Sequence, residues 1–231
     1  LYGANSESGL IVIRTRNPTD RPERELRATG SAFSGTGGYS IEGYVSEPLA
    51  ADTLSASLAM KYSDEATWMR NRAPGVTEPG QIREFFAHAK LRWTPTDNLT
   101  VNTTAYVLDI NAPGLFDNDF YPQDVALYDD LYAPLNGSQR SGRYGYFRDA
   151  PARTDETEYV FGVSATQRLG GGALDVALSY RRDNSDARGL DFDFTALPTA
   201  AGRDANDERV WNAELRYSSD PSRPLSIVGG I

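Results

Sequence analysis

The segment REFFAHAKLRWTPTDNLTVNTTAYVLD, residues 83–109, decides the fold. Phe85, Ala87, Ala89, Leu91 and Trp93 alternate with Phe86, His88, Lys90 and Arg92. After Pro95-Thr-Asp-Asn98 the alternation resumes, with Leu99, Val101, Thr103, Ala105 and Val107 set against Thr100, Asn102, Thr104 and Tyr106. A period of two puts each set on its own face of a strand, whereas a helix needs a repeat near 3.6. Each run is about ten residues, long for a globular strand and matched to one tilted across a bilayer. The short polar turn between them predicts an antiparallel hairpin.

The pattern extends in both directions. Strands are expected near 24–34, 39–48, 53–63, 157–168, 173–182, 208–218 and 225–231, which with the first hairpin makes about nine. Tyr39, Ile41, Gly43 and Val45 share one face, as do Leu54, Ala56, Leu58, Met60 and Tyr62. Tyr159, Phe161, Val163 and Ala165 follow the same rule, then Leu174, Val176, Leu178 and Tyr180, then Trp211, Ala213, Leu215 and Tyr217. Short turns at 47–52, 95–98, 170–172 and 219–224 alternate with long connections at about 64–82, 110–156 and 183–207. Outer-membrane barrels have this asymmetry, with short periplasmic turns and long extracellular loops, and a soluble sandwich has no reason for it. Trp93, Tyr62, Tyr159, Tyr180 and Tyr217 stand near strand ends, where interfacial girdles lie. The expected fold is therefore all-β, a transmembrane antiparallel β-barrel seen in part.

Composition agrees. Only 39% of residues are hydrophobic, yet the chain holds 13 Tyr, 9 Phe and 3 Trp. A barrel with a wet interior needs apolar side chains on one face only. No stretch approaches the ~18 consecutive apolar residues of a spanning helix. Cysteine is absent, so thiolate sites and disulfides are excluded. The net charge of −9 argues against a nucleic-acid partner.

The first residues, LYGANSESGLIVIRTRNP, follow a different rule: a Tyr-Gly turn, small polar residues, a short β-rich run and a Pro. This segment resembles the end of the plug domain of TonB-dependent outer-membrane receptors. The resemblance rests on Leu1, Tyr2, Gly3, Asn5, Gly9, Ile11, Ile13, Thr15 and Pro18, with Ser8-Gly9 standing where the family usually has Gly-Gly. It implies that residues 1–20 close the plug and its linker, and that 21–231 form the first part of a barrel of 22 strands. It further implies a monomer in the Gram-negative outer membrane, taking up a scarce nutrient such as an iron–siderophore chelate, a cobalamin or a glycan. Energy would reach it from the TonB–ExbB–ExbD complex through a segment upstream of Leu1. On this reading the first strand runs outward, the connection around Gly35-Thr-Gly-Gly38 is extracellular, and the barrel continues beyond Ile231. The other readings are a passive porin or a barrel-type surface receptor.

No enzyme constellation emerges. His88 is the one histidine, and it shares a polar face with Lys90 and Arg92, as a wall residue would. No cofactor is expected. Asp117, Asp119, Asp124, Asp129 and Asp130 lack the ligand order of a calcium loop, so a hydrated surface loop is the better reading. The same loop is dense in aromatics: Phe116, Phe120, Tyr121, Tyr128, Tyr132, Tyr144, Tyr146 and Phe147. Tyr-rich loops supply rigid contact area, so these residues, Phe147 apart, are the candidate substrate contacts; packing as a lid over the plug would use the same residues. Asn98, Asn102 and Asn136 fall in Asn-X-Ser/Thr triplets, expected to be chance. Lys61, Lys90, Arg92, Asp175, Arg181, Glu214 and Arg216 are expected to solvate the lumen wall and hold the plug.

Overall fold

In the computed structural model, residues 15–33, 36–67, 70–75, 80–113, 125–136, 145–149, 151–191, 195–198, 201–220, 222 and 227–231 are described. Their elements are β1 (Glu23–Phe33), β2 (Thr36–Ala50), β3 (Leu54–Ala66), β4 (Arg70–Asn71), β5 (Gln81–Thr96), β6 (Leu99–Ala112), α1 (Val125–Tyr132), β7 (Gly145–Tyr146), β8 (Arg153–Leu169), β9 (Gly172–Asp191), β10 (Ala201–Ser219) and β11 (Val228–Gly230). Among the described residues, nine strands form one sheet in the order β1-β2-β3-β5-β6-β8-β9-β10-β11. Every neighbouring pair in it is antiparallel, so the sheet is a simple meander. The deciding hairpin appears in register, with Ala89 opposite Ala105 and Trp93 opposite Val101.

The burial pattern is inverted relative to a soluble domain. Ile41, Leu58, Met60, Leu91, Trp93, Tyr159, Phe161, Leu178, Trp211 and Leu215 are exposed, while Ser46, Ser55, Ser57 and Ser63 are buried. The register aligns these apolar residues across β2 to β10 on one face. A continuous apolar band of this size faces something other than water. On β3 the band runs from Leu54 to Tyr62, roughly 26 Å along the strand at ~3.3 Å per residue. At Asp64 the same face becomes charged, with Arg83 opposite it on β5.

Several connections differ from the expectation. Phe33 pairs with Thr36, so Thr36-Gly-Gly38 belongs to β2 and only residues 34–35 separate the first two strands. The 183–207 connection shrinks, because β9 continues to Asp191 and β10 begins at Ala201. Both faces of that stretch are polar, so no apolar alternation marks it as strand. Cross-strand pairs hold it instead: Arg203 donates to both Asp186 carboxylate oxygens at 2.6 and 2.9 Å, and Arg182 donates to Asp207 at 3.2 Å. At its far end β9 carries a bulge, with Arg203 opposite Arg188 and Gly202 opposite Leu190. The extra residue is Gly189 at φ 65°, which only glycine adopts without strain. β11 covers only Val228–Gly230 of the strand expected at 225–231.

Candidate functional site

Two assemblies sit on this scaffold. The first is the polar face of the sheet, onto which residues 15–19 fold back. Lys90 on β5 donates to the carbonyls of Thr15 and Arg16 at 3.0 Å each and to Asn17 Oδ1 at 3.3 Å. The Thr19 amide donates to Ser46 Oγ on β2 at 3.0 Å, and the Arg16 guanidinium lies 5.0 Å from the Tyr44 ring centroid. Pro18 is buried. A cavity of about 420 Å³ remains between this segment and the wall, lined by Thr15, Asn17, Lys90, Asn102, Thr104 and Ser164 among others. Lys90 therefore acts as a clamp, offering three N–H donors to a strip of carbonyls, which a carboxylate could not do.

Further along the same face the charges pair with one another. Lys61 meets Glu84 at 2.9 Å, and Asp175 accepts from Thr166 Oγ1 at 2.7 Å and from Arg216 at 3.2 Å. Glu158 accepts from Tyr106 Oη at 2.8 Å and Arg181 Nε at 2.7 Å, and Arg181 also bonds Asp183 at 2.9 Å. This ladder is of mixed sign rather than a ring of one charge. His88 belongs to the same wall, its Nε2 being 2.7 Å from Thr104 Oγ1 and its ring edge-on to Tyr106.

The second assembly is built from the long connections. β4 and β7 pair in parallel, joining the β3–β5 connection to the β6–β8 connection. Asn71 fastens the joint: its Nδ2 donates to the Arg148 carbonyl at 2.9 Å, and its Oδ1 accepts from the amides of Arg148 at 3.1 Å and Ala73 at 3.0 Å. Phe147, 2% exposed, packs with Ala73, and Ala196 from the β9–β10 connection covers them. Asn136 is fully buried and accepts from the Ala196 amide at 2.9 Å, and the Asp149 amide donates to buried Asp191 at 3.3 Å. Three connections thus share one small core.

The candidate contacts distribute unevenly over this platform. Phe116, Phe120, Tyr121 and Tyr144 lie outside the described residues, and Tyr128 is described only by its backbone, in α1. Tyr132, at the end of α1, is exposed. Tyr146 is half-buried in β7 beneath the Arg148 guanidinium, 5.1 Å from its ring centroid. Leu1, Tyr2, Gly3, Gly9, Ile11 and Ile13 also lie outside the described residues, and of that motif Thr15 and Pro18 are seen. Asp129 is buried on α1 and Asp130 is exposed there, whereas Asp117, Asp119 and Asp124 fall outside. Of the three Asn-X-Ser/Thr positions, Asn136 is buried and Asn102 lines the cavity. Asn71, Arg148 and Asp191 were not anticipated, because a polar residue stapling two distant loops leaves no periodic trace.

Beyond the apolar band the same face carries Asp–Arg pairs in which arginine lowers the carboxylate pKa. Hydrogen bonds from Arg203 and then Arg188 hold the Asp186 carboxyl well below the usual carboxylate range. Bonds from Arg182 and Arg209 lower Asp207 in the same way.

No family model matches the sequence. The fold does have solved counterparts. The ferric yersiniabactin uptake receptor FyuA from Yersinia pestis matches 94% of this chain at 16% identity, TM-score 0.62. The siderophore receptor PirA from Acinetobacter baumannii matches 93% at 13% identity, TM-score 0.59. A variant of the ferric enterobactin receptor PfeA from Pseudomonas aeruginosa matches 89% at 14% identity, TM-score 0.56. The chain spans only 29–31% of the length of these receptors. At these identities the likeness shows the fold alone: the meander matches a stretch of the antiparallel β-barrel of these receptors.

Proposed function

We propose that, within a receptor-type barrel, this chain serves TonB-dependent uptake of a scarce nutrient, an iron–siderophore chelate first among the candidates, across a Gram-negative outer membrane. The observation that carries the reading is the placement of residues 15–19. They cross the polar face of the meander and are gripped there by Lys90 and Ser46. A passive porin keeps that face open to water. Residues 1–20 are then the end of the plug and 21–231 the first part of the barrel, its apolar face against lipid and its polar face lining the lumen. Cobalamin and glycans remain the other cargo classes; the solved counterparts named above, receptors for ferric yersiniabactin and ferric enterobactin and a siderophore receptor, favour iron chelates.

Tyr132 and Tyr146, with Phe116, Phe120, Tyr121, Tyr128 and Tyr144, would contact the cargo. Aromatic rings give rigid, amphipathic contact at low entropic cost. The platform that carries Tyr146 is stapled by Asn71, which supports a preformed surface. Work on the plug would come from TonB, ExbB and ExbD, since a plugged lumen admits cargo only when the plug rearranges.

The test is uptake of radiolabelled iron, offered on a panel of ferric siderophores, by cells that carry or lack the gene. A TonB-requiring loss of uptake for one siderophore supports the reading. Uptake that persists without TonB favours the porin, and unchanged iron uptake with lost cobalamin or glycan uptake reassigns the cargo.

A further inference from the structure

α1 is turned inside out. The helix buries Asp129, and the turn that ends it buries Asn136. Leu127, Leu131 and Leu135 are 56%, 63% and 41% exposed. Their four-residue spacing puts them on one side of a helical path. The Asn136 amide continues that path beyond α1 by donating to the Tyr132 carbonyl at 3.0 Å. Leu197 is exposed as well, and it follows Ala196, whose amide donates to Asn136 Oδ1 at 2.9 Å, so it emerges next to the end of this stripe.

Packing of the inner side does not explain this orientation. Asn136 Nδ2 is buried with no hydrogen-bond partner, which is unfavourable. Exposing a stripe of leucines to water is unfavourable too. An arrangement adverse on both sides marks a surface that a partner completes.

Charge and size narrow the partner. α1 reads VALYDDLY, with two aspartates and no lysine or arginine. Helices that lie on a membrane surface carry basic residues on their polar face, so a lipid surface does not suit it. The four leucines offer on the order of 300 Å² of apolar surface, against ~800 Å² per partner in a stable protein interface. A small ligand fits that area. At ~1.5 Å per residue the stripe from Leu127 to Leu135 is ~12 Å long and one side chain wide, the dimensions of an extended alkyl chain of about ten carbons.

We infer that this stripe is the subsite for an alkyl chain, so that the cargo is an acylated amphiphile, a ferric chelate with a fatty tail. The inference rests on the uptake reading and names the chemistry of its cargo. Tyr132 stands exposed on the same helix, where an amphipathic ring suits the junction between tail and polar head.

The test uses the intact barrel carrying this chain, held in lipid nanodiscs after a check for heat-modifiable gel mobility. The probes are ferric trihydroxamate chelates acylated with butanoyl, hexanoyl, octanoyl, decanoyl or tetradecanoyl chains. Binding is read by equilibrium dialysis with empty discs subtracted. Each CH2 half-covered on an open stripe should tighten binding about twofold, or roughly 60-fold from butanoyl to decanoyl, with less than about twofold more at tetradecanoyl. L127S/L131S/L135S should abolish the chain-length dependence, and L127M/L131M/L135M should keep it. Binding by the parent that is absent or indifferent to chain length overturns the inference. Chain-length dependence that survives in the serine variant also overturns it, by placing the alkyl chain elsewhere. Faster exchange of the α1 amides in the serine variant, with a parent that ignores chain length, puts the chain's own residues over the stripe and overturns it too. Uptake by cells separates this inference from the reading beneath it. Gene- and TonB-requiring uptake that ignores chain length overturns the subsite alone. Chain-length-dependent binding without gene-requiring uptake overturns the uptake reading and leaves an alkyl site with no transport role.

Discussion

Replacing Asn71 with alanine should open the loop platform while leaving the sheet intact. Asn71 makes three hydrogen bonds, two of them to the backbone of Arg148, a residue 2% exposed beside Phe147. At ~1 kcal/mol net for each of the three bonds, the loss is about 3 kcal/mol. It falls on the local opening of the β4–β7 joint rather than on global unfolding, because the joint shares its small core with loops alone. At ~1.4 kcal/mol per tenfold, the open population rises roughly 100-fold. Hydrogen exchange on the folded barrel in detergent reads this directly. Amides at 71–73 and 146–148 should exchange about 100-fold faster in Asn71→Ala, and those at 86–92 in β5 should change less than twofold. Acceleration under threefold at the joint would refute the staple, and uniform acceleration across β5 would refute the independence of platform and sheet.

Three further outcomes are expected. The 231-residue polypeptide refolded alone in detergent should give no heat-modifiable monomer, since β1 and β11 offer unpaired edges in the described sheet; a monodisperse heat-modifiable species refutes this. Asp186 and Asp207 have folded-state values depressed by arginine, so their contribution is fully present above the unfolded carboxylate value of ~3.9 and is lost as pH falls through the lower folded value. After correction for intrinsic rates, exchange at 183–188 and 203–209 should stay constant from pH 7 to 5 and rise only below ~4; a transition near pH 6 would contradict the assignment. Gly189→Ala should destabilise the β9–β10 extension by at least ~1 kcal/mol from the positive φ alone, and further because its Cβ would lie 2.4 Å from the Pro151 carbonyl oxygen; an unchanged melting temperature of that extension, followed by proteolysis at 183–207, counts against it.

The sequence by itself determined the strands whose two faces differ in polarity. Through the apolar band of β3, β5, β6 and β8 nearly every second residue is apolar, and a difference between the two faces imposes that alternation, so strand and face could both be read. It also marked the short turns at 95–98 and 170–172, because Gly, Pro, Asn and Asp supply turn conformations locally. The halves of β9 beyond Arg182 and of β10 before Arg209 were illegible, since both faces are polar there and Arg–Asp pairs such as 186 with 203 replace apolar alternation. The loop platform was illegible for a related reason. Asn71 and Arg148 meet across 77 residues, and Phe147 finds its partners, Ala73 and Ala196, on two other connections. The aromatic density of residues 116–147 marked a candidate contact loop, but not that Tyr132 is exposed while Tyr146 lies under an arginine. Local chemistry fixes what repeats along a chain, and contacts between distant, non-repeating segments exist only once the sheet has brought its loops to one end.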